Sequence, residues 1–192
     1  MLNIVIFGPP GAGKGTQAIK LSEKYNLIHL STGEVIRAEI KKGSDLGMEA
    51  AEQMQGGKLA SDELVLGIIQ KFVGEHKDTP GVIYDGFPRT LPQAEAFEKM
   101  LEDHGESVSA MLALDVPDEE LIKRILERGK ISGREDDQSE QVIRNRIEVY
   151  NRQTAPLIAY YDQRGKYFPI PGDGGIELVF DRICAIVDGI PG

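Results

Sequence analysis

The sequence is poor in the residues that most often build disulfide frameworks and metal sites. It contains one cysteine, Cys184, and three histidines that are scattered along the chain. A single cysteine excludes an internal disulfide and a cysteine-rich zinc site, and its apolar neighbours predict a core residue. The scattered histidines indicate neither a metal site nor an acid–base role.

Long apolar runs and an excess of basic residues are also missing. No run approaches the ~20 apolar residues of a transmembrane helix, and the glycine-rich loop that starts at Gly8 leaves no room for a signal peptide. We therefore expect a cytoplasmic protein without a membrane partner. The 22 basic and 31 acidic side chains give a net charge of −9. That balance argues against a nucleic-acid partner, because such binding depends on a basic surface.

The sequence does contain a glycine-rich stretch near its start, GPPGAGKGT at residues 8–16. It follows an apolar run and leads into a helical pattern. Its glycines allow positive φ, so that backbone N–H groups turn inward, and the next helix points its positive N-terminus at the same space. Lys14 adds a positive charge for phosphate oxygens. The stretch therefore predicts a phosphate-binding loop.

The spacing of this loop fits the pattern G-x-x-x-x-G-K with one departure. Gly15 stands where the general pattern has Ser or Thr, and the hydroxyl follows one residue later at Thr16. This variant resembles the loops of adenylate kinases and their pyrimidine-nucleotide relatives rather than those of GTPases or motor ATPases.

Short apolar runs recur along the chain, with helical patterns between them. They lie at residues 2–7, 27–30, 82–84, 110–114 and 167–170. Strands that alternate with helices predict an α/β fold, here a parallel five-stranded sheet flanked by helices, of the P-loop NTPase type. Ligands of such sheets collect at the carboxyl ends of the strands. Residues that directly follow strands are therefore candidates for the site.

Two segments depart from the alternation of strands and helices. Residues 31–60 open with a capping box, are largely polar and are interpreted as a small helical insertion. A very short lid, at about residues 129–134, separates two arginines. We expect one domain over residues 1–192, with core segments 1–30, 61–128 and 135–192.

The third predicted strand ends in the loop DGFPRT, which begins with Asp85. An aspartate at the end of an apolar strand in a phosphate-loop protein usually faces a metal ion, directly or through water. Gly86 and Pro88 favour a tight turn that would direct Arg89 back towards the phosphates.

Most of the arginines follow strands or lie in the two helices that would flank the loop. Six of the ten belong to this set: Arg37, Arg89, Arg124, Arg128, Arg134 and Arg146. Arg146 interrupts an apolar helical stripe, which is unfavourable unless an anion or a hydrogen-bonding partner meets it. Asp137 and Glu140 are interpreted as caps of the helix that carries Arg146. Because arginine binds phosphate bidentately, this set predicts two oligophosphates held end to end for phosphoryl transfer.

Over essentially its whole length the chain resembles the adenylate kinases. The resemblance lies in GPPGAGKGT, STGE, GKLASDE, DGFPRT with Gln93, the Arg124 and Arg128 pair, SGREDD, Arg146 and TAPLIAYY. It implies magnesium-dependent, reversible transfer of a phosphoryl group from ATP to AMP, giving two ADP, by a monomer. It also implies that the insertion binds the nucleoside monophosphate (NMP). The lid resembles that of the short enzymes, which excludes the zinc-bearing lids of longer relatives.

The resemblance assigns a role to each site residue. It places ATP against Gly11, Ala12, Gly13, Lys14, Gly15, Thr16, Arg128 and Gly174. It places AMP against Thr32, Arg37, Lys58, Leu59, Ala60, Gly86, Phe87, Pro88, Arg89, Gln93, Arg134 and Arg146. The charge of the transition state would be stabilised by Lys14, Arg89, Arg124, Arg134 and Arg146. Magnesium would be held, largely through water, by Thr16, Asp85 and Asp136.

Two other functions remain as alternatives. A uridylate–cytidylate kinase has the same arginines, but it typically has Ala and Asn where this chain has Thr32 and Gln93. A glutamine amide can both donate to and accept from an adenine edge, which favours AMP. The second alternative is a switch that binds ATP to control a partner, and it would bind ATP without needing AMP.

Overall fold

A parallel sheet forms the centre of the computed structural model, which describes residues 1–76 and 79–190. The described residues form five strands: β1 (Leu2–Phe7), β2 (Ile28–Ser31), β3 (Gly81–Asp85), β4 (Ala110–Asp115) and β5 (Tyr167–Pro171). Their order is β2-β3-β1-β4-β5, and each neighbouring pair is parallel. The predicted five-stranded parallel α/β fold is confirmed. Residues 77–78 and 191–192, which belong to the expected core segments, lie outside the described residues.

Helices follow the strands and cover both faces of the sheet. They are α1 (Lys14–Tyr25), α2 (Thr32–Lys42), α3 (Asp45–Gln53), α4 (Asp62–Glu75), α5 (Leu91–Glu102), α6 (Asp118–Ser132), α7 (Glu140–Val149), α8 (Leu157–Asp162) and α9 (Ile176–Val187). Short 3₁₀ turns lie at Gln55–Gly57 and Glu135–Asp137. None of the helices in the described part of the chain combines the length and the apolar character that a bilayer crossing requires.

The core has two layers because successive side chains of a buried strand point to opposite faces. In β1, Val5 and Phe7 pack on one face with residues of α4, α5 and α8. Ile4 and Ile6 pack on the other face with residues of α1, α6, α7 and α9. The sheet is therefore buried on both sides, and the loops after the strands remain for binding.

One local expectation about α7 was wrong. Its N-cap is Ser139, whose hydroxyl accepts from the backbone N–H of Val142 at 3.5 Å, and Asp137 does not cap the helix. A π-helical segment, Tyr150–Thr154, continues α7, and a turn at residues 155–156 separates it from α8. In the insertion, Ser31 caps α2 as expected, accepting from the backbone N–H of Glu34 at 3.4 Å.

Candidate active site

The phosphate-binding loop lies between β1 and α1, at the carboxyl edge of the sheet. Its backbone has positive φ at Gly8, Gly11 and Gly13. Gly11 could not be replaced easily, because an added Cβ would lie 2.8 Å from Cγ1 of Ile125 in α6. The loop thus packs against α6, and α1 begins directly after it, at Lys14. Backbone N–H groups and the positive end of the α1 dipole make this loop suited to phosphate.

The ammonium group of Lys14 lies in the loop. Its Nζ donates to the carbonyl oxygens of Gly8, at 2.8 Å, and Pro9, at 2.9 Å. Burial, together with the positive charges of Arg89 and Arg146 and against the opposing charge of Asp85, lowers the pKa of Lys14 from 10.5 to about 8. Because other positive charges lie near Lys14, a bound anion would stabilise the charged form of this lysine.

Asp85 ends β3 and is 9% exposed. Its Oδ2 lies 3.4 Å from Nε2 of His29, and a Cβ added to Gly15 would lie 3.5 Å from the same oxygen. The carboxylate therefore faces the first turn of α1. Burial raises the pKa of Asp85, but His29 and Lys14 outweigh burial, and the net shift is downward. Asp85 is thus an ionised carboxylate beside the phosphate-binding loop.

The loop after β3 holds Arg89 at the site. Arg89 Nε donates to the Gly86 carbonyl at 2.7 Å, and the Thr154 hydroxyl donates to the Arg89 carbonyl at 2.8 Å. Burial, followed by the charge of Arg146, lowers the pKa of Arg89. Phe87 turns into the core, with its ring centroid 5.0 Å from that of Phe97, so it offers a ligand its backbone only.

Several residues assigned to the monophosphate lie beside this loop. Thr32 is 2% exposed and its hydroxyl donates to the Gly86 carbonyl at 3.1 Å. The guanidinium of Arg37 lies over Gly33, and burial, followed by the charge of Arg134, lowers the pKa of Arg37. These contacts bring the insertion, the lid and the β3 loop to one place.

Gln93 lies in the first turn of α5 and is 1% exposed. Its Oε1 accepts from the backbone N–H of Arg89 at 2.8 Å, and its Nε2 donates to Oδ1 of Asp62 at 2.8 Å. The amide expected to contact adenine is therefore buried, and a base could reach it only after the groups that cover it move.

The last residues of the insertion form a strap that leads into α4, and this strap carries Lys58, Leu59 and Ala60. It borders a cleft of about 560 Å³ that is completed by the start of α5 and the end of α7. Gly57, just before the strap, has φ 86°, and an added Cβ there would lie 2.7 Å from Cγ of Arg146. The insertion thus packs directly against the helix that carries Arg146.

One aspartate meets two of the predicted arginines. The Asp137 carboxylate, whose side chain is 0% exposed, accepts from Nε of Arg128 at 2.7 Å and from Nη1 of Arg146 at 2.7 Å. Asp136 contributes a second partner, with Oδ2 2.9 Å from Nη1 of Arg146. The arginine that interrupts an apolar stripe therefore has the partner that its position required.

Lys14 and the six predicted arginines fall into one cluster and one outlier. The electrostatic neighbours of Lys14, Arg37 and Arg89 show that the following side chains converge: Lys14, Arg37, Arg89, Arg128, Arg134 and Arg146. Arg124 is not brought to this cluster. Its Nε pairs with Glu120 at 2.9 Å, and its Nη2 donates to the Gly172 carbonyl at 3.4 Å, at the loop that contains Gly174.

The residues beside the phosphate-binding loop fit a magnesium ion that is held mainly by water and substrate phosphates. Within residues 1–76 and 79–190, no three His, Cys, Asp or Glu side chains are grouped so that they could enclose a metal ion. Magnesium needs no such cage, because it keeps several waters and takes one or two carboxylates together with substrate phosphates. Asp85 faces the turn of α1 that carries Thr16, which is exposed. Asp136 lies on the lid side, against Arg146.

Three residues at the site were not singled out from the sequence. Asp137 was interpreted as a helix cap, and neither Asp62 nor His29 was assigned to the site. The structure pairs them with Arg128, Gln93 and Asp85, respectively. The Asp137 carboxylate, three residues after Arg134, was visible in the sequence, but its partners come from α6 and α7.

Comparisons with known proteins agree with this geometry. The sequence model of the family described as adenylate kinase matches residues 6–166. A protein of Bacteroides fragilis named adenylate kinase is 53% identical over 188 residues, which cover 98% of this chain and 99% of that protein. An adenylate kinase of Flavobacterium johnsoniae is 49% identical over 190 residues, covering 99% of this chain and all of that protein.

Proposed function

The chain belongs to the adenylate kinase family, and from that premise we propose that it transfers the γ-phosphoryl group of ATP to AMP, reversibly, giving two ADP. The observation that carries the proposal is the convergence of Lys14, Arg89 and Arg146 beside the phosphate-binding loop. Arg146 already pairs with Asp136 and Asp137. In the described residues Lys14 and Arg89 bond instead to backbone carbonyls, so the phosphates of bound nucleotides would supply their counter-charge.

The reaction requires placement and charge, not a titrating nucleophile. The bond between the γ-phosphorus and the oxygen that bridges it to the β-phosphate breaks, and an oxygen of the AMP phosphate forms the new bond to phosphorus. No proton has to be removed from that phosphate oxygen. Catalysis then depends on in-line alignment and on fixed positive charge around the migrating group. Both are properties of the arginine cluster.

Each side of the cluster has a distinct task in this proposal. The loop from Gly11 to Thr16 binds the ATP phosphates, and Lys14 neutralises charge that develops on them. Arg37 and Arg89 bind the AMP phosphate, and Arg146 lies where the two phosphate chains meet. Magnesium, when bound to ATP, would screen the charge of the β- and γ-phosphates, with Asp85 and Thr16 holding its waters.

The insertion and the lid complete the site in the same proposal. Residues 31–60 carry Arg37, and the lid at about residues 129–134 ends with Arg134. Closure of both segments over the two nucleotides would exclude water, which would otherwise accept the phosphoryl group. Arg124 would contact ATP from the loop that contains Gly174, rather than from the cluster.

A coupled assay of ADP formation tests the proposal against the ATP-binding switch. With ATP alone, ADP should not accumulate; with ATP and AMP, two ADP should form for each ATP consumed. ATP binding without any AMP-dependent turnover would reject the kinase and favour the switch. We further propose that the protein acts as a cytoplasmic monomer, so light scattering should give a mass near 21.1 kDa.

A further inference from the structure

The hydrogen bonds of Gln93 determine which way round its amide lies. The backbone N–H of Arg89 can only donate, so it must face Oε1, at 2.8 Å. The carboxylate of Asp62 accepts and has no hydrogen to donate when ionised, so it must face Nε2, at 2.8 Å. Exchanging the oxygen and nitrogen would put donor against donor and acceptor against acceptor. The orientation is therefore fixed by its two partners.

Asp62 is itself held in place by the two helices that it joins. Its Oδ1 also accepts from the hydroxyl of Thr90, at 2.9 Å. Asp62 is the first residue of α4, and Thr90 is the N-cap of α5. Both helix N-termini favour a negative charge at this position. The carboxylate that orients Gln93 thus belongs to a rigid junction between α4 and α5.

The Gln93 amide retains half of its hydrogen-bonding capacity. A primary amide has two donor hydrogens and two acceptor positions. Within the described parts of the chain, Gln93 uses one donor and one acceptor, although it is only 1% exposed. Buried amides normally fill more of their capacity. One N–H and one lone pair are left for a ligand with the complementary pattern.

Adenine has that complementary pattern, and a 6-oxopurine has the reverse. Adenine offers an amino donor beside a ring-nitrogen acceptor, whereas hypoxanthine offers a carbonyl acceptor beside a ring N–H donor. To bind the second pattern in the same place, the amide would have to turn over. We propose that Asp62 is a positioning residue that prevents this exchange and so sets the preference of the acceptor site for AMP over inosine monophosphate (IMP). This inference depends on the proposed function, since it takes the base of the acceptor to lie at Gln93.

Steady-state kinetics with AMP and with IMP test the role of Asp62. In Asp62→Leu, the ratio of kcat/KM for AMP to that for IMP should fall about 10-fold, the size expected for one buried hydrogen bond. The change should appear in the KM for AMP, with kcat and the KM for ATP nearly unchanged. Asp62→Asn should recover most of the ratio, because its Oδ1 still accepts from Gln93. Glu63→Leu is the matched control: it removes the same charge from the exposed neighbouring position and should leave the ratio unchanged.

A double-mutant cycle separates positioning from a structural role. If Asp62 acts through Gln93, then Asp62→Leu should not change the AMP-to-IMP ratio in a Gln93→Ala background. An equal change in both backgrounds would overturn the inference, as would an unchanged ratio in Asp62→Leu alone. The ratio does not depend on how much of each preparation is folded, so partial misfolding cannot imitate the result. Failure of the proposed function would look different, because the wild type itself would then show no AMP-dependent turnover.

Discussion

Asp137, whose side chain is 0% exposed, accepts two hydrogen bonds from the guanidinium of Arg128, at 2.7 and 2.9 Å. The same carboxylate accepts from Arg146 at 2.7 Å. One buried charge therefore fixes two arginines, one from α6 and one from α7. Burial raises the pKa of Asp137, but the two guanidinium groups outweigh it and the net shift is below the ordinary 3.8.

Replacing this carboxylate should destabilise the protein. Asp137→Asn keeps the shape but places an NH₂ group against a guanidinium donor, which should cost about 1–3 kcal/mol in the free energy of unfolding. Urea denaturation at pH 7 measures it. Asp136→Asn is the control, because its carboxylate is 39% exposed and its replacement should lower the free energy of unfolding by less.

The stabilisation by Asp137 should also depend on pH. Since the folded-state pKa of Asp137 is lowered, its contribution to the free energy of unfolding is present above the unfolded pKa and is lost as pH falls through the folded pKa. The gap between wild type and Asp137→Asn should therefore close below about pH 4; an equal gap at pH 3 and pH 7 would contradict the ion-pair explanation.

Removing a cation from the cluster should affect turnover far more than folding. Lys14→Met and Arg89→Ala each delete charge next to the phosphates, and the loss of one such electrostatic contact typically lowers kcat by about 10²–10³. Kinetics of ADP formation would measure the loss, and circular dichroism would show whether the fold is intact. Arg144→Ala, which removes an exposed arginine that pairs with Glu140, should have near-normal kcat. Near-normal turnover in Lys14→Met or Arg89→Ala would reject their assignment.

The pH dependence of ATP use should reveal Lys14. Its pKa in the free protein is lowered to about 8, so it loses its charge as pH rises through that value. The kcat/KM for ATP, which reports the free enzyme, should therefore fall above about pH 8 with a slope of one proton. Bound phosphates favour the charged form, so kcat should stay level to higher pH. In Lys14→Arg the fall should vanish, because arginine stays charged; a fall that persists would assign it to another group.

The metal requirement follows from the donor set. Activity should be lost in EDTA, return with Mg²⁺ and be indifferent to a zinc-selective chelator, because magnesium bridges phosphates and the single Cys184 cannot build a zinc site. Elemental analysis of the purified protein provides an independent check. Stoichiometric zinc would contradict the prediction.

The sequence was sufficient for the sheet but not for the contacts around the arginines. Each strand was visible as an apolar run, because both faces of the sheet are buried and the periodicity is local. Ser139 and Asp137 could both have capped α7, and only packing decides between them. The contact between Asp62 and Gln93 joins residues that are 31 positions apart. Such pairs depend on how α4 and α5 lie against each other, which no local pattern encodes.

The central claim is that the acceptor is AMP, and a competition assay tests it most directly. ATP, Mg²⁺ and equal concentrations of AMP, UMP, CMP and GMP are incubated with the protein, and the four monophosphates that remain are separated and quantified, because ADP also forms from ATP in every transfer. AMP should be consumed at least about 10-fold faster than the others, since a bidentate contact between an amide and adenine gives about 1–3 kcal/mol of discrimination. Consumption of UMP or CMP as fast as AMP would contradict the account and make the chain a pyrimidine-nucleotide kinase.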